Sequence, residues 1–223
     1  KVLGVRGSIP CPGLAYHRYG GNTPCVEMSC GDKTLIFDAG TGLRSLGQEL
    51  VKKGKIEAEI FFSHAHLDHI IGFPFFAPAF HPKNKFKIWS AVFDQQIPIK
   101  EVFKKLTSSP MFPVSFEIFN AQFDFLTFKP GDEIDVDEKI SLSTVELNHP
   151  QGAVGYRVNF AGKSVCYITD TEHKPGIIDQ NIKSLVSGAD VVIYDACFTD
   201  ENYANYTGWG HSTWQEGVKL CDA

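Results

Sequence analysis

The stretch His64-Ala65-His66-Leu67-Asp68-His69 holds four candidate metal ligands within six positions. It follows residues 60–63, whose apolar character predicts a strand that ends where the first histidine begins. In extended backbone, side chains two positions apart point the same way, so His64 and His66 are expected to bind one ion together. A helical turn in the second half of the stretch would aim its carboxylate and its last imidazole in a second direction.

A fortuitous cluster in an exposed loop is the alternative explanation of this stretch. Loops seldom carry so many polar groups, which are costly to bury, at the mouth of an apolar strand. Imidazole and carboxylate are the ligands that suit zinc and its borderline neighbours. We therefore interpret the stretch as serving two adjacent ions, with Asp68 and His69 assigned to the second one.

Length and composition limit the classes of protein that the chain can belong to. At 223 residues it can form one sizeable domain, and 43% hydrophobic and 21% charged residues are ordinary for a globular protein. A formal net charge of −5 argues against a broad surface for nucleic acid, so folded RNA is not the expected partner. No apolar run is long enough to span a bilayer. We predict a single domain over residues 1–223.

The six cysteines do not form a Cys-x-x-Cys pair, and in a chain of this length they do not indicate a disulfide framework. They are Cys11, Cys25, Cys30, Cys166, Cys197 and Cys221. Most lie in apolar runs, which favours buried thiols and a cytoplasmic protein. A zinc site built from cysteine is the alternative.

Local patterns predict most of the secondary structure. Apolar spacing predicts helices over residues 43–53, 99–106 and 177–186 and from 212 onward. Alternation and turn residues predict hairpins from residues 22–30 with 33–37, 134–137 with 139–147, and 155–160 with 164–168. Residues 111–128 are expected to form two aromatic strands. Residues 73–78 are also aromatic, and the sequence leaves open whether they pack in the core or line the entrance to the metals.

Two later residues complete a ligand set, each located after a predicted strand. His149 alone could be a turn histidine, but a third neutral imidazole is what a first zinc would need beside two upstream histidines. Asp170 could merely cap a turn, yet a carboxylate at that point can bridge two ions, because each of its oxygens can bind one. Asp38, which ends another strand, is interpreted as a supporting carboxylate rather than a ligand.

Asp195 and His211 form a second pair. Asp195 ends a strand, and His211 precedes a predicted helix whose Thr213 and Glu216 fit a capping box. An aspartate behind a histidine fixes its orientation and favours its protonated form, which is the arrangement of a general acid. A histidine that only caps the helix is the alternative. His173, three residues after Asp170, could reach the rim of the site, but a solvated loop residue is the preferred interpretation.

The stretch that opens this section resembles the signature of the metallo-β-lactamase-fold hydrolases, in their two-metal branch. The run Gly210-His211-Ser212-Thr213 is similar to a motif of the ribonuclease Z group, and Tyr194-Asp195-Ala196-Cys197 resembles another motif of that group less closely. The resemblance implies an α+β fold, a four-layer αβ/βα sandwich of two stacked mixed β-sheets with outer helices. It also implies that an acidic residue supports a proton-donating histidine.

The resemblance implies a ligand at each matching position. The implied set for the first ion is His64, His66 and His149; for the second it is Asp68, His69 and Asp170, with Asp170 bridging. The ions would be two divalent metals, zinc by preference, with manganese or iron as alternatives. The family supplies one more histidine to the second metal from a strand after the last helix. The sequence stops at Ala223, and whether that piece was removed, is disordered or is truly absent is left open, as is the completeness of the second site.

The hypothesis from sequence is a phosphodiesterase acting on a small phosphodiester, of the cyclic nucleotide or cyclic phosphate type, through a metal-bridging hydroxide. Asp68 is counted among the catalytic residues together with Asp195 and His211. One alternative is a lactone or thioester hydrolase that uses the same metals. Another is a non-catalytic, iron-loaded sensor or binding module. Whether the protein forms a homodimer is left open.

Overall fold

The computed structural model describes residues 1–93 and 97–223. The chain divides into two compact units, the first made of residues 1–90 and 95–127 and the second of residues 91–94 and 128–223. The described residues contain eleven β-strands in two mixed sheets and five α-helices, which confirms the α+β class. None of the helices in these described ranges is long and apolar enough to cross a membrane.

The first unit carries a six-stranded sheet with the strands in chain order. The strands are β1 (Val2–Gly4), β2 (Cys25–Cys30), β3 (Lys33–Phe37), β4 (Glu57–Phe62), β5 (Lys85–Ala91) and β6 (Gln122–Phe128). The pairs β1–β2 and β2–β3 are antiparallel, while β3–β4 and β4–β5 are parallel. Because β3 and β4 run the same way, Asp38 and the metal stretch emerge at the same edge of the sheet.

Three helices belong to this unit: α1 (Gly42–Leu50), α2 (Leu67–Ile70) and α3 (Ile99–Leu106). The predicted helix over residues 43–53 is confirmed, with its last three residues forming a 3-10 turn. Leu43, Leu46 and Leu50 lie on one face of α1 and are buried in the core, as their spacing predicts.

The prediction of two aromatic strands over residues 111–128 is confirmed for the second strand and wrong for the first. The second strand exists as β6, but Phe116 lies in a 3-10 turn that spans Phe116–Ile118. The rings of Phe116 and Phe119 lie 5.4 Å apart, and each contacts the ring of buried Phe73. Their spacing of three residues suits a turn that presents both rings to one core, and this tertiary packing overrides the local preference for a strand.

The aromatic segment over residues 73–78 lies mainly in the core. Phe73 and Phe76 are fully buried, and Phe73 stacks on Phe103 of α3 with ring centroids 4.0 Å apart. Phe75 is instead 53% exposed. Core packing is therefore the role of two of the three rings.

The second unit carries a five-stranded sheet in the order β11-β10-β9-β8-β7. The strands are β7 (Glu133–Asp137), β8 (Ile140–Leu147), β9 (Ala153–Phe160), β10 (Lys163–Ile168) and β11 (Val191–Tyr194). Neighbours are antiparallel except β10 and β11, which are parallel. Strands β8, β10 and β11 therefore run in the same direction, and their carboxyl ends lie at one edge of the sheet. The loops that contain His149, Asp170 and Asp195 start at this edge.

Two helices complete the second unit, α4 (Gln180–Val186) and α5 (Trp214–Asp222). Helix α4 begins three residues later than predicted, because the Asp179 side chain accepts hydrogen bonds from the Asn181 and Ile182 amides and caps the helix there. Thr213 caps α5 by accepting from the Glu216 amide, as the capping-box pattern predicts.

The burial of the cysteines follows the sequence interpretation only in part. Cys25, Cys30 and Cys166 are buried, which confirms the prediction for these three. Cys197 and Cys221 are exposed, so for them the prediction is wrong. Burial raises the pKa of the Cys166 thiol to about 11, so this side chain is protonated and unreactive at neutral pH.

Candidate metal centre

In the first unit, the predicted histidine pair forms where β4 ends. His66 has an extended backbone and directly precedes α2, so the switch from strand to helical turn occurs where the sequence placed it. The Nε2 atom of His64 lies 2.9 Å from the Nδ1 atom of His66. Two nitrogens bound to one tetrahedral zinc at 2.0–2.1 Å would be about 3.3 Å apart. The pair therefore needs a movement of only a few tenths of an ångström to bind one ion.

Asp68 and His69 lie on α2 and point away from the strand direction. The Nε2 atom of His69 is 3.5 Å from Oδ2 of Asp68, and both side chains are buried. The Ser8 amide donates to the same Asp68 oxygen at 2.8 Å, so the loop after β1 fixes this carboxylate. These two residues thus present a nitrogen and an oxygen together, as expected for a second ion.

Asp38 supports the metal stretch from behind. It is fully buried at a φ of 59°, and its carboxylate accepts from the Ser63 amide and the Ser63 hydroxyl, each at 2.8 Å. The Nδ1 atom of His69 also lies 2.8 Å from this carboxylate and donates to it, so Nε2 is the nitrogen that could bind a metal. The interpretation of Asp38 as a supporting carboxylate accounts for these contacts.

Ser63, whose role sequence reasoning missed, constrains the candidate ligand His64 in the same way. Its hydroxyl donates to Asp38 and lies 3.0 Å from Nδ1 of His64, so it accepts the proton of that nitrogen. His64 is thereby held in the tautomer whose Nε2 carries the lone pair. A short polar side chain between an apolar strand and a histidine was the available signal in the sequence.

In the second unit, His149 and Asp170 come together at the sheet edge. The Nε2 atom of His149 lies 3.7 Å from Oδ2 of Asp170, and both side chains are largely buried. The Nδ1 atom of His149 donates to the Gly210 carbonyl at 2.7 Å. The nitrogen that faces Asp170 is therefore the unprotonated one, as a metal ligand requires.

The predicted pair of Asp195 and His211 is also formed. The Nδ1 atom of His211 lies 2.9 Å from Oδ2 of Asp195, and the same carboxylate accepts from the Thr171 and Cys197 amides. Asp170, Asp195 and His211 each offer one candidate ligand atom within 4.8 Å of the others. The histidine is thus oriented by a carboxylate and lies next to the aspartate that was predicted to bridge the ions.

Glu172 is a further residue that sequence reasoning missed, and it connects three loops of this unit. Its side chain accepts from the Gly208 amide at 2.9 Å and from the Gly210 amide at 2.7 Å. Its backbone pairs with Asn148, whose carbonyl accepts from the Glu172 amide and whose side chain donates to the Glu172 carbonyl. Glu172 therefore fixes the position of the carbonyl that orients His149. No spacing rule in the sequence marks this role.

His173 lies in a loop and is partly exposed, as expected, but its side chain is also held by neighbouring residues. Its Nδ1 atom lies 2.8 Å from the Ser212 hydroxyl, and its ring stacks on Tyr203 at 4.1 Å. The Tyr194 hydroxyl lies 3.2 Å from the same serine oxygen. Burial raises the pKa of Tyr194 to about 12, so this hydroxyl stays neutral at physiological pH. The contacts hold Ser212, and with it the chain at His211, against the loop after β10.

The donor chemistry of both units fits divalent metal ions. Each unit contains buried histidine and aspartate side chains clustered at the carboxyl edge of its sheet. His64, His69 and His149 each have their Nδ1 atom bonded to a protein acceptor of their own unit. Histidines that bind metals usually have this arrangement, because the outer contact fixes both the tautomer and the ring orientation.

Comparison with known proteins identifies a family. Residues 33–223 match the family described as Beta-lactamase superfamily domain. No curated protein sequence matches the chain at a significant level.

Several solved structures are similar over almost the whole chain. The metallo-β-lactamase-fold protein YhfI from Bacillus subtilis has a TM-score of 0.71 and 19% identity, and the match covers 98% of this chain and 78% of that one. The short form of human tRNase Z has a TM-score of 0.70 and 18% identity, with coverages of 100% and 88%. A diphosphatase of the PhnP family has a TM-score of 0.65 and 19% identity, with coverages of 98% and 79%. At these identities the likeness establishes the metallo-β-lactamase-like fold.

Proposed function

Since this chain belongs to the β-lactamase superfamily, we propose that it is a metal-dependent hydrolase that cleaves a small phosphodiester. The proposal assigns two divalent ions, zinc by preference, to ligands from both units. His64, His66 and His149 would hold the first ion, and Asp68, His69 and Asp170 would hold the second, with Asp170 as the shared ligand.

Two such ions, when bound, polarise phosphoryl oxygens and lower the pKa of a water molecule. The protein's own contribution is orientation. Asp38 and Ser63 hold His69 and His64 with Nε2 directed outward, and the Gly210 carbonyl does the same for His149. These contacts fix the tautomer and the ring orientation of each histidine.

The observation that carries the proposal is the pair of His211 and Asp195. Cleavage of a phosphodiester by water releases an alkoxide, which is a poor leaving group unless it receives a proton. His211, whose Nδ1 atom is held by Asp195 at 2.9 Å, is a proton donor of the required kind beside Asp170. A thiolate leaving group needs no such proton, so His211 would have no catalytic role with a thioester substrate.

The names of the similar structures agree with phosphate chemistry, since one is called a tRNase and another a diphosphatase. The formal net charge of −5 favours a small phosphodiester over folded RNA for this chain. A cyclic nucleotide or cyclic phosphate is the substrate type that we propose.

The test of the proposed function is turnover of bis(p-nitrophenyl) phosphate by protein loaded with zinc or manganese. We expect hydrolysis that is lost on chelation and restored by metal. Lactone and thioester substrates are measured in parallel. If they are hydrolysed faster than the phosphodiester, the protein is better described as a lactone or thioester hydrolase. If metal analysis finds iron, the protein absorbs visible light and no substrate is hydrolysed, the alternative of a non-catalytic, iron-loaded sensor is favoured. Absence of phosphodiester turnover in metal-replete protein would overturn the proposal.

The role of His211 has its own test. With a series of phosphodiesters of increasing leaving-group pKa, His211→Ala should slow the poorest leaving groups most and leave metal content unchanged. An equal loss on good and poor leaving groups would show that His211 is not the proton donor.

A further inference from the structure

Three aromatic rings extend from His211 toward solvent in the second unit. The ring of Phe198 lies 6.1 Å from the imidazole of His211, edge to face. Tyr206 stacks on Phe198 at 4.3 Å with an interplanar angle of 4°, and Trp209 meets Tyr206 edge-on at 5.4 Å. Phe198, Tyr206 and Trp209, called here the aromatic ladder, thus form a continuous apolar surface that begins at the proposed proton donor.

The outer end of the aromatic ladder is exposed but held in place. The side chain of Trp209 is 63% exposed, and the flanking residues Gly208 and Gly210 both have positive φ, 90° and 82°. The Trp209 amide donates to the Tyr206 carbonyl, and Glu172 accepts from the amides of both glycines. The backbone that carries this indole is therefore fixed on both sides of it.

An indole that is held in an exposed position keeps apolar surface in contact with water, and binding of an apolar ligand would remove that surface from water. Single exposed apolar side chains are common on protein surfaces, and the chain has others. Trp209 differs from them because its exposure continues through two further rings to a catalytic side chain. Aromatic faces on rigid backbone bind flat ligands at low entropic cost, since few torsions are lost on binding.

We propose that the aromatic ladder binds a nucleobase carried on the leaving side of the phosphodiester. This inference rests on the proposed function, because His211 marks the side on which the leaving oxygen is protonated. Glu201 on the same loop is an exposed carboxylate, while Asp200 is paired with Lys219 at 3.2 Å, so this loop offers no unpaired cation of its own to an anionic group and suits a neutral, flat one. Bases stack on aromatic side chains with little regard to sequence, because each base presents a π-face.

The inference predicts a loss that depends on the substrate. For 2′,3′-cyclic AMP, Trp209→Ala should raise KM at least about fivefold, the lower limit for the loss of one base-stacking contact. For glycerol 1,2-cyclic phosphate, which has no aromatic group, KM and kcat should not change. Trp209→Phe should recover most of the affinity for the nucleotide. Trp214→Ala is the matched control, since Trp214 is 53% exposed at the start of α5 and is not part of the aromatic ladder.

A binding measurement separates this inference from the proposed function. AMP should quench the tryptophan fluorescence of the metal-loaded protein, and the quenching should be lost in Trp209→Ala but kept in Trp214→Ala. If neither cyclic phosphate is hydrolysed but this quenching is seen, the proposed function fails and the base-binding surface stands. Equal losses on both substrates, an equal effect of Trp214→Ala, or the absence of quenching would each overturn the inference.

Discussion

Replacing Glu172 by glutamine tests how the second unit positions its functional groups. The carboxylate accepts from two amides, with both oxygens 2.9 Å from the Gly208 nitrogen and one oxygen 2.7 Å from the Gly210 nitrogen. In Glu172→Gln, one carboxylate oxygen becomes an NH₂ group. If the remaining oxygen stays with Gly210, it also stays 2.9 Å from the Gly208 nitrogen, but the new NH₂ replaces the second acceptor of the Gly208 N–H and faces it, donor against donor. The variant thus loses charge and one acceptor while the shape of the side chain is kept.

The size of the effect follows from the two amide donors. A hydrogen bond to a charged group contributes about 1.5–3 kcal/mol in a buried site. Glu172 is only half-buried, and water can replace part of each bond, so we take roughly 1 kcal/mol for each donor, half of the mid-range value. Together they stabilise the turn over residues 208–210 by about 2 kcal/mol, which corresponds to about a 30-fold change in the equilibrium constant between the ordered and the disordered turn.

The assay is kcat and KM on a phosphodiester at saturating metal. We expect Glu172→Gln to lower kcat/KM by up to about fivefold, since about 1 kcal/mol is lost with one of the two donors. Glu172→Ala loses both bonds and should lower kcat/KM by up to about 30-fold. The reason in both cases is that the Gly210 carbonyl orients His149 and that the next residue is His211. The control is Glu138→Gln, an exposed carboxylate in the turn between β7 and β8, for which we expect no change in kcat/KM.

Metal affinity, measured by competition with a chelator, separates positioning from general destabilisation. Glu172→Gln should weaken metal binding while circular dichroism and the melting temperature stay close to those of the parent protein. Activity and affinity of Glu172→Ala within threefold of the parent would refute the reasoning. A melting temperature that falls in proportion to activity would show instead that Glu172 serves only the fold.

Two further predictions address the supports of individual ligands. Gly210→Ala should abolish activity, because a Cβ there would lie 2.4 Å from Nδ1 of His149. Gly208→Ala has a similar φ but open space around its Cβ, so it should lower stability only by the backbone strain. Equal kcat/KM values for the two variants would contradict this. Asp38→Asn should weaken metal binding by about 10- to 100-fold in a chelator competition, because an amide NH₂ facing Nδ1 of His69 would favour the wrong tautomer. Unchanged affinity in a folded Asp38→Asn protein would show that the carboxylate does not set that tautomer.

The sequence predicted those parts of the site that depend on local backbone geometry. His64 and His66 follow a strand in extended conformation, and α2 begins immediately after them, as the spacing of the ligands indicates. The exits of β8, β10 and β11 also carry the residues that were singled out there, namely His149, Asp170 and Asp195. Such positions are accessible to sequence reasoning, because strand ends and ligand spacing are both short-range patterns.

Other parts depend on long-range contacts, and these were missed or misassigned. Glu172 acts through the amides of residues 36 and 38 positions away, and any residue type could supply those amides. His173 is held by Ser212 and Tyr203, at separations of 39 and 30 residues. Phe116 was assigned to a strand because alternation was the only local signal, although its ring packs on Phe73 from a distant segment. Long-range hydrogen bonds to the backbone and long-range ring packing produce no regular residue spacing that could be recognised in the sequence.

The two units fix the tautomers of their histidines with different hydrogen-bonding groups. In the first unit a buried carboxylate and a hydroxyl hold the outer nitrogens of His69 and His64. In the second unit a backbone carbonyl holds the outer nitrogen of His149, and Glu172 fixes that carbonyl by binding the amide of the same glycine. A carbonyl can only accept, so it allows one tautomer of His149, whereas a hydroxyl such as that of Ser63 could in principle rotate to donate. Asp38 removes this freedom. Its carboxylate accepts the hydrogen bond that the Ser63 hydroxyl donates, so the hydroxyl oxygen can only accept from His64.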